Sequence, residues 1–335
     1  MKRELAARVF GASGLRSLIS RLSPWSGILA LNYHRIGVAG SSPFDRGIWS
    51  VSTEMFDRQV AWLKSHFDVI RPQDLPSILQ SRKGRYVLLT FDDGYRDNYT
   101  EAFPVLKYHG IPATFFITTG FLDRPRLAWW DEVAWMIRTC RRELIDMRPR
   151  IEDPVRFIDR TREGSVKTTL TAYTYLPGNK TEEFLNALAN AAGTGRFPSA
   201  EACDQWMTWE MVRDMNRAGM EIGGHTVNHP ILSSLHADEQ LWEIRESINR
   251  LRTELDCSIQ SFSYPNGYPI AFNNDTRTSL RSVEIEYAFS YYGGYRSFEE
   301  WDHLDIRRFS VESNMSLSLF KGMVAIPRLF GRMAG

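Results

Sequence analysis

The sequence reads as an α/β chain organised around a mostly parallel sheet, open or closed into a barrel. Two observations carry that reading. Short apolar segments alternate with helical patterns over most of the 335 residues, as strand–helix–strand crossovers require. The polar clusters fall directly after apolar segments, at what would be the carboxyl ends of strands, and in a parallel barrel all such ends point to one face.

The strand candidates run in order from Gly27–Tyr33 (GILALNY) through Tyr86–Phe91, Ala113–Thr118 (ATFFIT), Glu221–Gly224, Ser261–Tyr264 and Tyr287–Tyr291 to Arg307–Val311. Between them, Phe56, Val60 and Leu63 repeat at helical spacing after the cap-like Ser52-Thr53. Tyr99, Ala102, Phe103 and Leu106 do the same and stop at Gly110-Ile111-Pro112. Met211, Met215 and Ala218 follow Thr208 and end at Gly219, a position that suits a helix C′ residue. Leu241, Ile244, Ile248, Leu251 and Leu255 form the longest stripe. These stripes are core faces and carry no functional weight.

Two regions depart from the rhythm. Residues 125 to 205 are charge-rich, hold Pro177-Gly178-Asn179 and read as a largely helical insertion between the third and fourth strands. Its start, Leu127-Ala128-Trp129-Trp130, could wall the active face. Residues 1–25 carry Lys2, Arg3, Arg8, Arg16 and Arg21 among short apolar patches, which suggests a basic amphipathic helical segment ahead of a body over 26–335. That helix either docks on the domain or lies on an anionic membrane surface. No apolar stretch there reaches signal-peptide length, so a cytoplasmic protein is expected, with possible peripheral contact at the inner membrane face.

Composition excludes several classes. A net charge of +1, from 41 basic and 40 acidic residues, gives no footprint for nucleic acid. The three cysteines lack CxxC spacing and are odd in number, which argues against a disulfide framework. Aromatics make up 13% of the chain; such faces often line sugar sites, but composition alone favours a place in the core.

Two short segments carry the chemistry. Thr90-Phe91-Asp92-Asp93-Gly94 puts adjacent carboxylates at a strand end, and His225-Thr226-Val227-Asn228-His229 puts two imidazoles four residues apart, about one helical turn. Two His and one Asp are a sufficient ligand set for a catalytic divalent metal with open positions, which leaves the second Asp free for proton transfer. Such a metal lowers the pKa of its water and polarises a carbonyl, and a carboxylate beside it accepts the proton. Thr226 is read as orienting the loop or touching substrate.

Together these segments resemble the first two motifs of the NodB-homology polysaccharide deacetylases, carbohydrate esterase family 4. The stretch from Phe103-Pro104-Val105-Leu106 through Gly110-Ile111-Pro112-Ala113-Thr114-Phe115-Phe116 is similar to the segment behind the first motif in that family. The resemblance covers roughly residues 28–122 and 206–312. It implies a distorted parallel (β/α) barrel of about seven strands, with Asp93, His225 and His229 as metal ligands and Asp92 as general base. The metal so implied is one divalent ion, zinc by preference, with cobalt, nickel or iron also suited to the ligands.

Two departures from the pattern matter. The third motif of the family, Arg-x-Pro-Tyr-Gly, appears here as Ser263-Tyr264-Pro265-Asn266-Gly267. The turn is retained, which would place the Asn266 N–H as oxyanion donor, but the Arg that orients the base is missing. Arg308 could supply that guanidinium; the plain alternative is a surface or ion-paired Arg. The family's last motif, Leu-x-x-His, is absent near the C-terminus, whereas Leu31-Asn32-Tyr33-His34 sits on the first strand. Circularly permuted members look similar, and His34 is then the general acid, with His303 as the alternative.

The resemblance implies a hydrolase that removes N-acetyl groups from an N-acetylated sugar or polysaccharide; the expected cytoplasmic location would suit a lipid-linked sugar precursor. Trp49, Trp129, Trp130, Tyr268 and Tyr291 are aromatics that could stack on pyranose rings. Two other readings stand beside it. One keeps the metal but acts on a non-sugar amide or imide; the other is a catalytically silent glycan-binding protein.

Overall fold

The computed structural model describes residues 25–147, 155–156 and 162–331, so the basic segment expected over 1–25 lies, Trp25 aside, outside the described residues. The central strand β1 (Gly27–Tyr33) is buried along its whole length, which is why it reads as an unbroken apolar run. It pairs in parallel with β3 (Arg85–Phe91) from Gly27↔Arg85 to Tyr33↔Phe91. The short strand β2 (Asp68–Ile70) flanks the first half of β3, and β4 (Thr114–Ile117) flanks its end. The sheet continues through β5 (Glu221–Gly224) and β6 (Ser261–Ser263) to β7 (Tyr287–Phe289), all parallel.

On the other side of β1 lie the antiparallel β8 (Tyr295–Arg296) and the parallel β9 (Arg308–Ser310). Phe289 of β7 bridges Ile306, just before β9, in parallel. The sheet therefore curls until its two margins meet, the distorted parallel barrel expected. All seven predicted strands belong to this nine-stranded sheet. The two additions, β2 and β8, are too short to show a pattern.

Helices pack outside. In α1 (Thr53–His66) the Ser52 hydroxyl caps the start by accepting from Met55 N–H, and Phe56, Val60 and Leu63 face the sheet. The Tyr99–Leu106 pattern divides into a π-helical turn, Asn98–Ala102, and α2 (Phe103–His109), with Pro104 in the first turn, where its missing N–H costs nothing. Thr208 caps the helix Trp209–Arg217, as its sequence position suggested. The long helix α3 (Ala237–Leu255) buries Ile244, Ile248 and Leu251, but also Gln240, Glu243 and Ser247.

Within the inserted stretch 125–205 the described residues build three α-helices, Trp129–Thr139, Glu163–Tyr173 and Thr181–Ala192. Ile137, Val166, Phe184 and Leu188 form part of a core separate from the barrel's, and Trp129 and Leu170 pack against both. Among the described residues no helix is long and apolar enough to cross a membrane.

Candidate active site

Asp92 follows β3 and keeps the ladder, its N–H donating to Tyr33 O at 3.1 Å. The turn begins at Asp93 itself (φ +77°) and continues through Gly94 (φ +92°). A Cβ on Gly94 would meet only ordinary contacts, so the backbone angle is what calls for glycine there. The turn sends the two carboxylates to different partners.

Asp93 Oδ1 lies 3.3 Å from His225 Nε2 and 3.3 Å from His229 Nε2, all three residues buried. The two histidines do not sit on a helical turn, contrary to the expectation from their spacing. They flank an irregular loop in which Thr226 (φ +65°) and His229 (φ +58°) are left-handed. Thr226 Oγ1 holds the loop, accepting from His229 N–H at 2.9 Å and donating to His225 O. Glu243 of α3 accepts from the N–H groups of Val227 and Asn228 and from the Asn228 amide, at 2.7–2.9 Å. Those bonds offset the cost of the unusual backbone. His225 Nδ1 meets Ser263 O at 2.7 Å, which turns Nε2 toward Asp93. Trp130 packs edge-on against His229, centroids 4.4 Å apart.

This cluster fits a metal ion on its own chemistry. Asp93 Oδ1 is buried without a hydrogen-bond partner, and the three ligand atoms lie within 4.8 Å of one another. A buried carboxylate oxygen facing two imidazole nitrogens with no hydrogen bond has lone pairs that a cation satisfies. Burial raises the Asp93 carboxyl, yet the two imidazoles beside it, His225 and His229, outweigh that and hold it well below the carboxylate range. Burial lowers both imidazoles; for His225 the Asp92 and Asp93 charges reverse that, whereas His229 stays below its ordinary value.

Arg308 reaches Asp92 from β9. Nη1 and Nη2 bind Oδ1 and Oδ2 at 2.8 Å each, so a guanidinium from another strand grips the carboxylate on both oxygens. The same guanidinium donates to Ser290 O, Asn32 Oδ1 and Ser263 Oγ at 2.7–2.9 Å. Asn32 Nδ2 (3.2 Å) and Ser263 Oγ (3.3 Å) complete the shell of Asp92. Burial raises the Asp92 pKa, but Arg308 and then His225 bring it below the ordinary value, so the group stays a carboxylate. Ser263 thus joins the pair, its hydroxyl accepting from Arg308 and donating to Asp92. Asn32 was not singled out by sequence, although a lone amide inside GILALNY is the kind of break that signals a buried role.

A cleft of about 800 Å³ opens over these groups and is lined by His34, Asp92, Asp93, His225, His229 and Asn266, among others. The His34 backbone is held by Ser50 Oγ and Asn98 Nδ2, and its ring meets Tyr291 edge-on at 5.6 Å. Asn266 is left-handed (φ +64°) in the turn after Pro265, and its N–H has no partner among the described residues. Trp129, Trp130, Tyr268 and Tyr291 line the cleft. Trp49 does not; it packs under Arg35, 4.3 Å from the guanidinium. His303, the other acid considered, sits beside Tyr287 and Trp301 and is not in the cleft.

The fold and the cluster define a class, an α/β barrel with a buried one-carboxylate, two-imidazole metal cradle at the carboxyl rim of its strands. The chain belongs to the polysaccharide deacetylase family, whose sequence model matches residues 80–141 and 162–288. It is 38% identical over 119 residues to the poly-β-1,6-N-acetyl-D-glucosamine N-deacetylase of Staphylococcus aureus strain MSSA476, which covers 32% of this chain and 41% of that protein. Against the enzyme of the same name from Escherichia coli O157:H7 it is 30% identical over 118 residues, 33% of this chain and 17% of that one. The chain thus spans about two fifths or less of the length of these relatives. Among solved structures, the Streptococcus pyogenes deacetylase PplD in complex with acetate is similar at TM-score 0.58 and 20% identity, over 88% of this chain and 96% of that one. IcaB from Ammonifex degensii is similar at TM-score 0.55 and 20% identity, over 90% and 97%. These two likenesses concern the fold.

Proposed function

We propose that the protein is a metal-dependent N-deacetylase that releases acetate from an N-acetylated glycan. The observation that carries this reading is the convergence, in one cleft, of the Asp93–His225–His229 cradle with the Arg308-clamped Asp92. When bound, a divalent ion would polarise the amide carbonyl and acidify a water. Asp92, held as a carboxylate 2.8 Å from Arg308, takes the proton as attack begins. The Asn266 N–H would stabilise the developing oxyanion, an effect worth ~3 kcal/mol in related acyl chemistry. His34, which lines the same cleft from the end of β1, protonates the departing amine. Zinc suits two imidazoles and one carboxylate, with cobalt, nickel and iron as alternatives.

The relatives' names point to poly-β-1,6-N-acetyl-D-glucosamine as the substrate type. A lipid-linked precursor at a cytoplasmic membrane face belongs to the same proposal and rests on the basic N-terminal segment. The test is acetate release from β-1,6-linked N-acetylglucosamine oligomers and from chitooligosaccharides. Release should vanish on chelation and return with zinc or cobalt. A protein that binds these oligomers yet frees no acetate with any of the four metals is a glycan-binding module instead.

A further inference from the structure

Four of the large apolar side chains that the described residues leave exposed line two neighbouring clefts. Tyr175, Tyr268 and Ile270 belong to the catalytic cleft, and Trp242, 51% exposed, to a second cleft of about 610 Å³. The two share Trp129. They are parted where Gly178 of the inserted unit meets the loop before α3, a Cβ on Gly178 falling 2.7 Å from Ser234 Oγ. None of Asp92, Asp93, His225 or His229 lines the second cleft. It lies behind the histidine loop, between that loop, the inserted helices and the start of α3.

Its chemistry differs from that of the catalytic cleft. Five carboxylates face two guanidiniums, Arg126 and Arg196, an excess of three negative charges. Glu132 is bound by Arg196 and Glu243 by the histidine loop, whereas the Asp238 carboxylate has no partner among the described residues. Glu239 adds a second charge in the same helical turn, one of its oxygens accepting from the His236 N–H at 2.9 Å. An aromatic face beside unneutralised carboxylates suits a ligand with an apolar ring face and a positive substituent. A neutral N-acetylated sugar leaves those charges unanswered, and an anionic sugar is repelled.

We propose that this second cleft binds de-N-acetylated, cationic hexosamine units of the glycan, with Trp242 as the stacking surface and Asp238 and Glu239 facing the ammonium groups. The proposal rests on the N-deacetylase reading, because that reaction creates such a cation one cleft away. It makes the enzyme favour chains that already carry free amines, held by Trp242 while an acetylated unit occupies the metal site.

The experiment is a calorimetric titration of the full zinc-loaded chain with fully de-N-acetylated chitohexaose, which offers no acetyl group to turn over. Trp242→Ala and Asp238→Asn should each weaken binding roughly 3- to 10-fold, and added salt should weaken the wild type in the same direction. Acetate release from di-N-acetylchitobiose should be unchanged in both variants, since neither residue lines the catalytic cleft. Wild-type affinity for the hexamer in both variants, or hexamer binding insensitive to salt, overturns the proposal. Trp242-dependent binding without acetate release from any substrate would leave this cleft assigned and sink the deacetylase reading alone.

Discussion

Replacing Arg308 by Met should destabilise the fold by roughly 3–5 kcal/mol, the usual consequence of leaving one member of a buried ion pair alone. The side chains of Arg308 and Asp92 are 0% and 4% exposed, so water does not compensate either one. Removing the guanidinium strips Asp92 of both 2.8 Å bonds, leaves Ser290 O without its donor and leaves Asn32 Oδ1 with only the Thr90 hydroxyl. Asp92→Asn alone should cost a similar amount by stranding the arginine charge. The double variant, which buries neither charge, should lose at least about 2 kcal/mol less than the sum of the singles, the coupling expected of a contacting buried pair. Urea unfolding of the four proteins in chelator isolates this from metal binding. Additivity within about 0.5 kcal/mol would show that the pair is not energetically coupled and that Arg308 does not clamp Asp92.

Burial pushes the Asp131 carboxyl up to about 7, partly against Arg35 and the Tyr95 hydroxyl, which donates to it at 2.7 Å. Its folded pKa lies above the unfolded value, so the folded state holds more protons between pH ~4 and ~7. Stability should fall as pH rises through that window, by up to ~4 kcal/mol from this group, and the urea midpoint of Asp131→Asn should be flatter between pH 5 and pH 8. Glu243→Ala removes the carboxylate that orders the histidine loop while leaving all three ligands, and should weaken zinc binding 10- to 100-fold in a competition titration. Unchanged affinity would mean the loop is self-supporting. His34→Ala should lose most turnover with metal stoichiometry intact; undiminished turnover removes His34 as the acid.

How much of this was legible in the sequence depends on whether each feature is local. Gly27–Tyr33 could be read because every residue in it is buried and apolar enough to form a continuous run. Asp68–Ile70 could not, because a three-residue strand with an exposed Asp68 carries no period. The four-residue spacing of His225 and His229 was visible, but its conformation was not. The left-handed Thr226 and His229 depend on Glu243, which lies beside the apolar stripe of α3 and which pattern reading assigns to solvent as a charged residue. Arg308 was a candidate because the third motif lacked its arginine, yet its contact with Asp92 exists only because β9 lies parallel to β1. Tertiary pairing of that kind leaves no trace in local periodicity.

The division between the family match and its flanks gives the site two separable halves. Asp92, Asp93, His225 and His229 fall inside residues 80–288, whereas Asn32, His34 and Arg308 lie outside the matched segments, on or directly after β1 and β9. The cradle is built by β3, β5 and the α3 carboxylate, which do not need β9 to hold their ligands in place. The proposed acid is brought in by β1, which pairs with β3, and the clamp by β9, which pairs with β1 on its other side. Variants of the flanking strands should therefore separate chemistry from metal: His34→Ala and Arg308→Met keep the ion and lose turnover, while Glu243→Ala weakens the ion first. If Arg308→Met instead released the metal at unchanged pH and ionic strength, the two halves would be one unit, and Asp92 would have to be reconsidered as part of the cradle.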